Sequence, residues 1–274
     1  LAEMAEKPDM ELDEIRGLFE HWGDITGEPG KVDYVEVDAG GVEAMWAIPK
    51  NSADNRVALC THGGGYVTGS MYTHRKLFGH IAKAVGCKAL ILHYRRAPEH
   101  THPAQVNDAV AAYEWLLKEG YKPGHIFATG DSAGGALATS VLLGIKDKGL
   151  AMPAASVPLS PWYDPEGKGD SIESNSEKDA LVQKEVLLNM AATFLGDASP
   201  KDPLANLLQA DLTGLPPIYI QTGGDETLLD DSVRFGELAT KAGVDCHVEI
   251  FPEMQHVFHF MAGEAPEADE AIAK

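Results

Sequence analysis

The stretch Gly130-Asp131-Ser132-Ala133-Gly134-Gly135 decides the fold, because it places the pattern Gly-x-Ser-x-Gly between segments of different periodicity. Residues 126–129 form an apolar run typical of a buried strand, and residues 133–145, rich in small side chains, are typical of a helix. A serine on so sharp a turn needs glycine two positions away on either side, since larger side chains would collide. The stretch therefore predicts Ser132 as an exposed nucleophile at a helix N-terminus, where the helix dipole favours negative charge. The alternative is a turn in which Ser132 only caps the helix.

On both sides of this turn, the chain alternates between strand-like and helix-like segments. The predicted strands are 31–38, 42–48, 57–61, 88–93, 126–129, 155–159, 217–221 and 246–251; the predicted helices are 9–23, 75–85, 104–118, 133–145, 182–194, 231–241 and a short one from about His256. The first two strands form a hairpin, and the rest predict an α/β fold with a mostly parallel central sheet covered by helices on both faces. We expect a single domain over residues 1–274.

One polar segment interrupts the alternation. Residues 164–179 (DPEGKGDSIESNSEKD) are rich in Gly, Ser and charged side chains, so they are expected to lie on the surface. Together with the following helix they predict a small helical lid over about 162–200, with a second lid element over about 1–30. An inert long loop is the alternative, because long loops are sometimes but not always functional.

A second glycine-rich stretch, His62-Gly63-Gly64-Gly65-Tyr66, follows the third predicted strand. Acyl transfer passes through a tetrahedral oxyanion that needs converging N–H donors, and consecutive glycines let the backbone turn its amides inward. The expected donors of this oxyanion hole are Gly64, Gly65 and Ala133. Neither this stretch nor residues 130–135 matches the glycine patterns of triphosphate- or dinucleotide-binding loops.

A serine nucleophile needs a base, and the base needs an acid that orients it. In the chain order Ser, acid, His, the base is expected to be His256, just past the last predicted strand. His247 lies inside that strand, and His259 one helical turn later is expected to be structural. The acid is expected to be Asp225, the first acidic residue after the glycines that follow strand 217–221. The alternatives are the other acidic residues of that loop, Glu226 and Asp230.

Composition excludes several other classes of function. A net charge of −20 over 274 residues disfavours nucleic acids and anionic membranes as partners. The three scattered cysteines predict free thiols and a cytoplasmic location, and neither a signal peptide nor an apolar run long enough to span a membrane is visible. His100 and His102 lack the carboxylate or thiolate neighbours of a zinc site, so no metal is expected.

Taken together, these residues resemble the bacterial branch of the hormone-sensitive lipase family of α/β-hydrolases. The resemblance covers most of the chain and rests on residues 62–65, on residues 94–100 (YRRAPEH), on residues 130–135, and on the Asp225 and His256 segments. It implies the α/β-hydrolase fold and esterase activity on short- to medium-chain acyl esters. The resemblance also implies the same triad and oxyanion donors, and a structural role for residues 94–100.

The chain departs from the family in two places. Only one helix precedes the first strand, whereas the family builds part of its lid from several N-terminal helices. Asp225 is followed by Glu-Thr, where the family more often has Pro-Leu. Neither departure removes a residue of the expected triad. The motifs and the resemblance together predict a serine carboxylesterase that acts through an acyl-enzyme and needs no metal or organic cofactor.

Three alternatives remain open at the level of sequence. The same triad could serve a lactonase or an amidase, or the chain could be a non-catalytic ligand-binding relative.

A homodimer through the edge strand 246–251 is a further hypothesis, because an apolar edge strand tends to be paired or covered. Acyl-chain preference depends on the pocket walls and the lid, which motifs do not determine.

Overall fold

The computed structural model describes residues 10–274 and arranges eight strands in one sheet. The strands are β1 (Val32–Asp38), β2 (Glu43–Pro49), β3 (Val57–Thr61), β4 (Lys88–Leu92), β5 (Ile126–Asp131), β6 (Ala155–Leu159), β7 (Ile218–Gly223) and β8 (Cys246–Phe251). Their order across the sheet is β1-β2-β4-β3-β5-β6-β7-β8. The β1–β2 and β2–β4 pairs are antiparallel and the other five pairs are parallel. The predicted opening hairpin and mostly parallel sheet are confirmed.

Helices connect the strands and flank the sheet. The α-helices are α1 (Leu12–Glu20), α2 (Met71–Val85), α3 (Ala104–Lys118), α4 (Ala133–Asp147), α5 (Ser171–Ser174), α6 (Lys184–Leu195), α7 (Leu229–Lys241) and α8 (Pro266–Ala273). Shorter 3₁₀ turns include His21–Ile25 after α1 and Phe258–Met261 after β8. No helix among residues 10–274 is long and apolar enough to cross a bilayer.

The ends of several elements differ from the prediction. Helix α2 begins at Met71, four residues earlier than predicted, because the Ser70 hydroxyl accepts the Thr73 amide at 3.1 Å and caps the helix. The predicted helix 9–23 ends at Glu20 and continues as a 3₁₀ turn, while its first residue, Asp9, lies outside the described residues, as does the 1–9 part of the predicted lid. Helix α8 was not predicted; it starts on Pro266 and buries Ala268 and Ala271.

The core consists of two layers, one on each face of the sheet. In β3, Leu59 packs with α3 and α4, whereas its neighbours Ala58 and Cys60 pack on the other face against α2. All five residues of β3 are buried. Both faces of the central strands are therefore apolar, as in a sheet covered on both sides. Each fully buried leucine stabilises the fold by about 1.5–3 kcal/mol relative to an exposed one.

The parallel strands bring distant loops to one edge of the sheet. Ser132 follows β5, residues 224–228 follow β7, and His256 follows β8. Because parallel strands present their carboxyl ends at the same edge, residues separated by up to 124 positions meet there.

Candidate active site

Ser132 occupies a strained turn between β5 and α4. Its backbone angles are φ 55° and ψ −123°, a conformation that L-residues rarely adopt. A Cβ on Gly130 would collide with the carbonyl oxygens of Thr61 and Gly134, and one on Gly134 would collide with those of Thr61 and His62. The glycines therefore allow the turn to pack tightly against β3, as the sequence predicts.

His256 lies within hydrogen-bond distance of the serine. Its Nε2 is 3.0 Å from the Ser132 Oγ, across 124 residues of sequence. The next residue, Val257, has the left-handed conformation (φ 52°), and its amide donates to the Ser160 hydroxyl at 3.2 Å. The histidine ring is buried, so its position is restricted by packing as well as by this loop.

The acid beside His256 is Glu226 and not Asp225. Glu226 Oε2 lies 3.5 Å from His256 Nδ1, and the Glu226 side chain is fully buried. The Asp225 carboxylate points elsewhere and forms an ion pair with Lys178 at 3.1 Å. The expectation that Asp225 contacts His256 is wrong for this structure, and the alternative acid Glu226 takes the place beside the histidine.

The loop geometry explains the one-residue difference. Residues Gly223 and Gly224 turn the chain closely under the loop after β8, and the Asp225 amide then donates to the Met254 carbonyl at 3.1 Å. The next side chain, Glu226, turns back under the sheet edge, where the Thr222 hydroxyl donates to it at 2.5 Å. The 3.5 Å distance between Glu226 Oε2 and His256 Nδ1 is longer than an ordinary hydrogen bond, as is common before substrate binds.

The charges around His256 favour its protonated form. Burial by itself would lower the pKa of His256, but the Glu226 carboxylate beside Nδ1, with further attraction from Asp179 and Asp131, raises it above its ordinary value. His259 is different, because burial, together with the nearby His256, lowers its pKa to about 3. Its Nε2 lies 3.0 Å from the Gln221 side-chain oxygen, which fits the predicted structural role.

The glycine loop at residues 62–65 lies beside Ser132. Gly64 and Gly65 have φ values of 110° and 63°, and both line the same cavity as the serine. The Gly64, Gly65 and Ala133 amides have no acceptor among the backbone hydrogen bonds of residues 10–274. They are therefore free to donate to a negatively charged oxygen near Ser132.

Buried polar side chains that the motifs did not single out support this loop. The Asp131 carboxylate accepts the Gly63 amide at 3.1 Å, and His74 Nε2 lies 3.3 Å from the same carboxylate. A Cβ on Gly63 would collide with Asp131, so the two segments approach as closely as a glycine permits. His74 lies on α2, and only its position in space reveals the contact.

Residues 94–100 support the loop from the other side. The Tyr94 hydroxyl donates to the His62 carbonyl at 2.6 Å, and the two rings stack at 4.1 Å. The Arg96 guanidinium donates to the Gly69 carbonyl at 2.6 Å. These contacts fit the structural role expected for this stretch. Of the two histidines considered for a metal, His102 lies 3.4 Å from Asp202 and His100 is exposed.

An apolar cavity of about 170 Å³ opens at Ser132 and His256. Its apolar walls come from α1 and the turn after it, from α6 and the segment before it, and from the loops after β6, β7 and β8. These side chains are Leu18, Phe19, Trp22, Trp162, Leu181, Val182, Val186, Leu187, Met190, Leu228 and Val257. The cavity is a site for a small apolar group next to the Ser132 hydroxyl.

Comparisons with known proteins agree with this geometry. A family model described as alpha/beta hydrolase fold matches residues 58–260. An acetyl-hydrolase of Streptomyces hygroscopicus is 41% identical over 253 residues, which cover 92% of this chain and 83% of that protein. An esterase of Acinetobacter venetianus is 36% identical over 213 residues, covering 77% and 70%.

Solved structures extend the similarity to the whole fold. The crystal structure of an esterase from the bacterial hormone-sensitive lipase family has a TM-score of 0.96 and 44% identity, covering 99% of this chain and 91% of that one. The predicted fold and the resemblance drawn from the motifs are both confirmed. The chain belongs to the bacterial hormone-sensitive lipase family of esterases with the α/β-hydrolase fold.

Proposed function

We propose that this protein is a serine carboxylesterase in which Ser132 is the nucleophile, His256 the base and Glu226 the acid that orients the base. The observation that carries the proposal is the 3.0 Å contact between Ser132 Oγ and His256 Nε2 at the end of an apolar cavity. The three free amides beside the serine, from Gly64, Gly65 and Ala133, support acyl transfer in particular.

In the acylation step, the Ser132 oxygen attacks the ester carbonyl carbon while its proton passes to His256 Nε2. The carbonyl oxygen becomes an oxyanion and accepts hydrogen bonds from the Gly64, Gly65 and Ala133 amides. Glu226 stabilises the imidazolium and holds the proton on Nδ1, which keeps Nε2 available. The intermediate then collapses, the imidazolium protonates the departing alkoxide, and an alcohol leaves.

In the deacylation step, water takes the place of the alcohol. His256 accepts a proton from the water, which attacks the acyl-enzyme carbonyl and forms a second oxyanion in the same place. Collapse breaks the bond to Ser132 Oγ, returns the proton to the serine and releases a carboxylic acid. These steps need no group beyond the side chains and amides named here.

Short acyl esters are the substrate class that we propose. A cavity of about 170 Å³ is small, and Met190 lies against Gly65 at the point where the acyl chain would leave the oxyanion site. The name of the Streptomyces relative, an acetyl-hydrolase, supports the same class. Medium chains are expected to be hydrolysed more slowly.

The experiment is hydrolysis of nitrophenyl esters from acetate to palmitate, with Ser132→Ala as the matched variant. The proposal predicts turnover that is highest for short chains and that falls by about 10⁴-fold or more in the variant. An intact protein that is inactive across all chain lengths at pH 7–9, or a variant as active as the parent, would contradict it.

We also propose that α1 and the part of residues 162–200 that borders the cavity form its lid within a single-domain chain. Phe19 from α1, Trp22 from the turn after it and Leu187 from α6 all line the cavity.

A homodimer through β8 is part of the proposal. This strand is the outer edge of the sheet and pairs with β7 alone among the described strands. Ile250 on β8 is 44% exposed and Leu238 on the adjacent α7 is 39% exposed, so an apolar edge remains uncovered. Light scattering at micromolar concentration should give a dimer mass, and Ile250→Lys should lower it to that of a monomer. A monomer mass for the parent protein would contradict the dimer.

We propose a cytoplasmic location on the basis of the thiols. Cys60 and Cys87 are buried and Cys246 is half-buried, and all three are free. Free thiols persist in a reducing compartment. Fractionation of the source cells with an antibody to the protein tests the location, and recovery from the culture medium would contradict it.

A further inference from the structure

Asp179 ends the polar segment 164–179 that was expected to be a surface excursion, yet its side chain is buried. Each oxygen of its carboxylate accepts two hydrogen bonds. One oxygen accepts the Leu181 and Val182 amides at 2.8 and 2.9 Å. The other accepts the Thr227 amide at 2.8 Å and lies 3.0 Å from the Thr227 hydroxyl. A carboxylate with four donors is an unusually complete acceptor for a loop residue.

The two pairs of donors belong to two different functional parts of the molecule. Leu181 and Val182 line the cavity, whereas Thr227 directly follows Glu226. A neighbouring side chain of the same segment, Asn175, donates to the Glu226 carbonyl at 2.9 Å. The position of the Glu226 backbone therefore depends on the lid segment, and Asp179 makes the most bonds in that link.

Asp179 also acts on His256 through its charge. The titratable groups that face the histidine are Glu226 from the loop after β7, Asp131 from the end of β5, Asp179 from the polar segment, and His259 from the following turn. Burial lowers the pKa of His256 and the three carboxylates raise it, so the charge of Asp179 favours the imidazolium. The imidazolium is the form that develops during attack by Ser132.

We infer that Asp179 is a positioning residue for ester hydrolysis, because its four hydrogen bonds tie the cavity wall at Leu181 and Val182 to the loop that holds Glu226. This inference rests on the proposed triad of Ser132, His256 and Glu226. This role of Asp179 explains why a polar segment outside the sheet carries a buried carboxylate. It also means that the lid helps to hold the triad in place.

The test is Asp179→Asn, because this change keeps the shape of the side chain and removes the charge and half of the accepting capacity. An amide nitrogen cannot accept a hydrogen bond, so either the cavity-wall amides or the Thr227 donors lose their partner. We expect kcat/KM for nitrophenyl acetate to fall roughly ten- to a hundredfold, as for a small misplacement of catalytic groups. We also expect the acid limb of the pH profile of kcat/KM to move to lower pH, since the pKa of His256 falls with the lost charge.

The matched control is Asp108→Asn. Asp108 is also buried, but its partner is Arg95: it accepts the Arg95 amide at 2.9 Å and pairs with the Arg95 guanidinium at 2.7 Å. This variant is expected to lose stability without moving the acid limb. A purely structural role for Asp179 predicts the same result for both variants, and that result would overturn the inference.

Two further measurements keep the test decisive. If Asp179→Asn does not fold, Thr227→Val removes one donor and leaves the charge; the inference then predicts a fall in kcat of a few fold with an unmoved acid limb, and an unchanged kcat overturns it. The Ser132→Ala variant separates the two proposals. Activity that survives this change disproves the triad and this inference with it, whereas activity that needs Ser132 but ignores Asp179 disproves this inference alone.

Discussion

The two halves of the active site differ in how they are held. On the nucleophile side, the backbone of a single sharp turn sets the direction of the Ser132 side chain, although Asp131, His74 and Tyr94 support the neighbouring glycine loop at 62–65. On the acid side, Glu226 is positioned by Thr222 at the end of its own strand and by Asn175 and Asp179, which come from the distant polar segment and bond the Glu226 carbonyl and Thr227. A sequence motif is reliable where the local backbone determines the direction of a side chain. It is unreliable where packing between distant segments does so.

Two adjacent residues on the acid side, Asp225 and Glu226, illustrate the effect of packing between distant segments. Asp225 and Glu226 have the same charge and adjacent positions, yet one is buried beside His256 and the other pairs with Lys178 at the surface. The side chains of adjacent residues in a tight turn point in different directions, and no spacing rule distinguishes them. The following predictions test the contrast between the two halves.

The largest effect that distinguishes the two acids should come from Glu226→Gln. The neutral side chain no longer stabilises the imidazolium and can favour the wrong tautomer, so kcat should fall by about 10³–10⁴-fold. Asp225→Asn is the matched control and should stay within about twofold of the parent, because it removes only a surface ion pair. Steady-state kinetics on nitrophenyl acetate measures both. Equal losses in the two variants would contradict the assignment of the acid.

On the nucleophile side, Gly63→Ala should distort the oxyanion loop. The added Cβ would collide with the Asp131 carboxylate, which holds the loop through the Gly63 amide. Losing one oxyanion donor costs about 10²–10³-fold in kcat, and we expect a loss of this size with KM little changed. Gly41→Ala is a control on a β-turn with free space around it, although its positive φ makes a small loss of stability expected. A Gly63→Ala variant with full kcat would contradict this account.

The pH dependence of activity should reflect His256. The base must be neutral to act, and its pKa is raised above the ordinary value, so kcat/KM should already decline as the pH falls below neutrality. Glu226→Gln removes the carboxylate closest to the ring and should move this decline to lower pH in whatever activity remains. A rate that stays flat down to pH 4 would exclude His256 as the base.

A smaller effect is expected at the contact between α1 and the loops that follow β3 and β4. The Arg16 guanidinium donates to the Val67 and Ala97 carbonyls, each at 2.9 Å, and pairs with Glu99 at 2.6 Å. Because α1 carries Leu18 and Phe19 to the cavity, Arg16→Met should loosen that wall. A loss of about 1 kcal/mol in binding corresponds to a KM about fivefold higher, with kcat nearly unchanged.

Glu99→Gln is the comparison for Arg16, because it leaves both carbonyl contacts in place and should change KM less. Kinetics with acetate and butyrate esters measures both variants. A fall in kcat at constant KM would show that Arg16 acts on the triad and not on the wall.

The smallest effect on activity is expected at Asp231, which acts on the stability of the acid side. Burial raises the pKa of Asp231 to about 7, although its carboxylate accepts the Tyr163 and Asp164 amides. The folded protein therefore holds this proton more tightly than the unfolded chain, so the contribution of Asp231 to stability is greatest below pH 4 and is lost as the pH rises toward 7. The slope from this group is on the order of 1 kcal/mol per pH unit. Urea unfolding at several pH values should show a flatter dependence in Asp231→Asn, and an unaltered slope would contradict it.

Much of the molecule could be predicted from the sequence. The alternation of apolar runs determines the sheet and its helices, because strands buried on both faces and amphipathic helices have different periods. The pattern around Ser132 determines the sharp turn, since only glycine fits where the backbone of β3 passes. His256 follows from its place after the last strand. The start of α2 cannot be found from the apolar pattern, because its Ser70 cap lies outside that pattern.

Only the tertiary structure decided the rest. It selected Glu226 over Asp225, buried Asp179 at the end of a segment whose composition is typical of a surface loop, and placed His74 against Asp131. The physical reason is the same in each case. The burial and direction of these side chains depend on which distant segments pack around them, and such contacts leave no periodic or spacing signal along the chain.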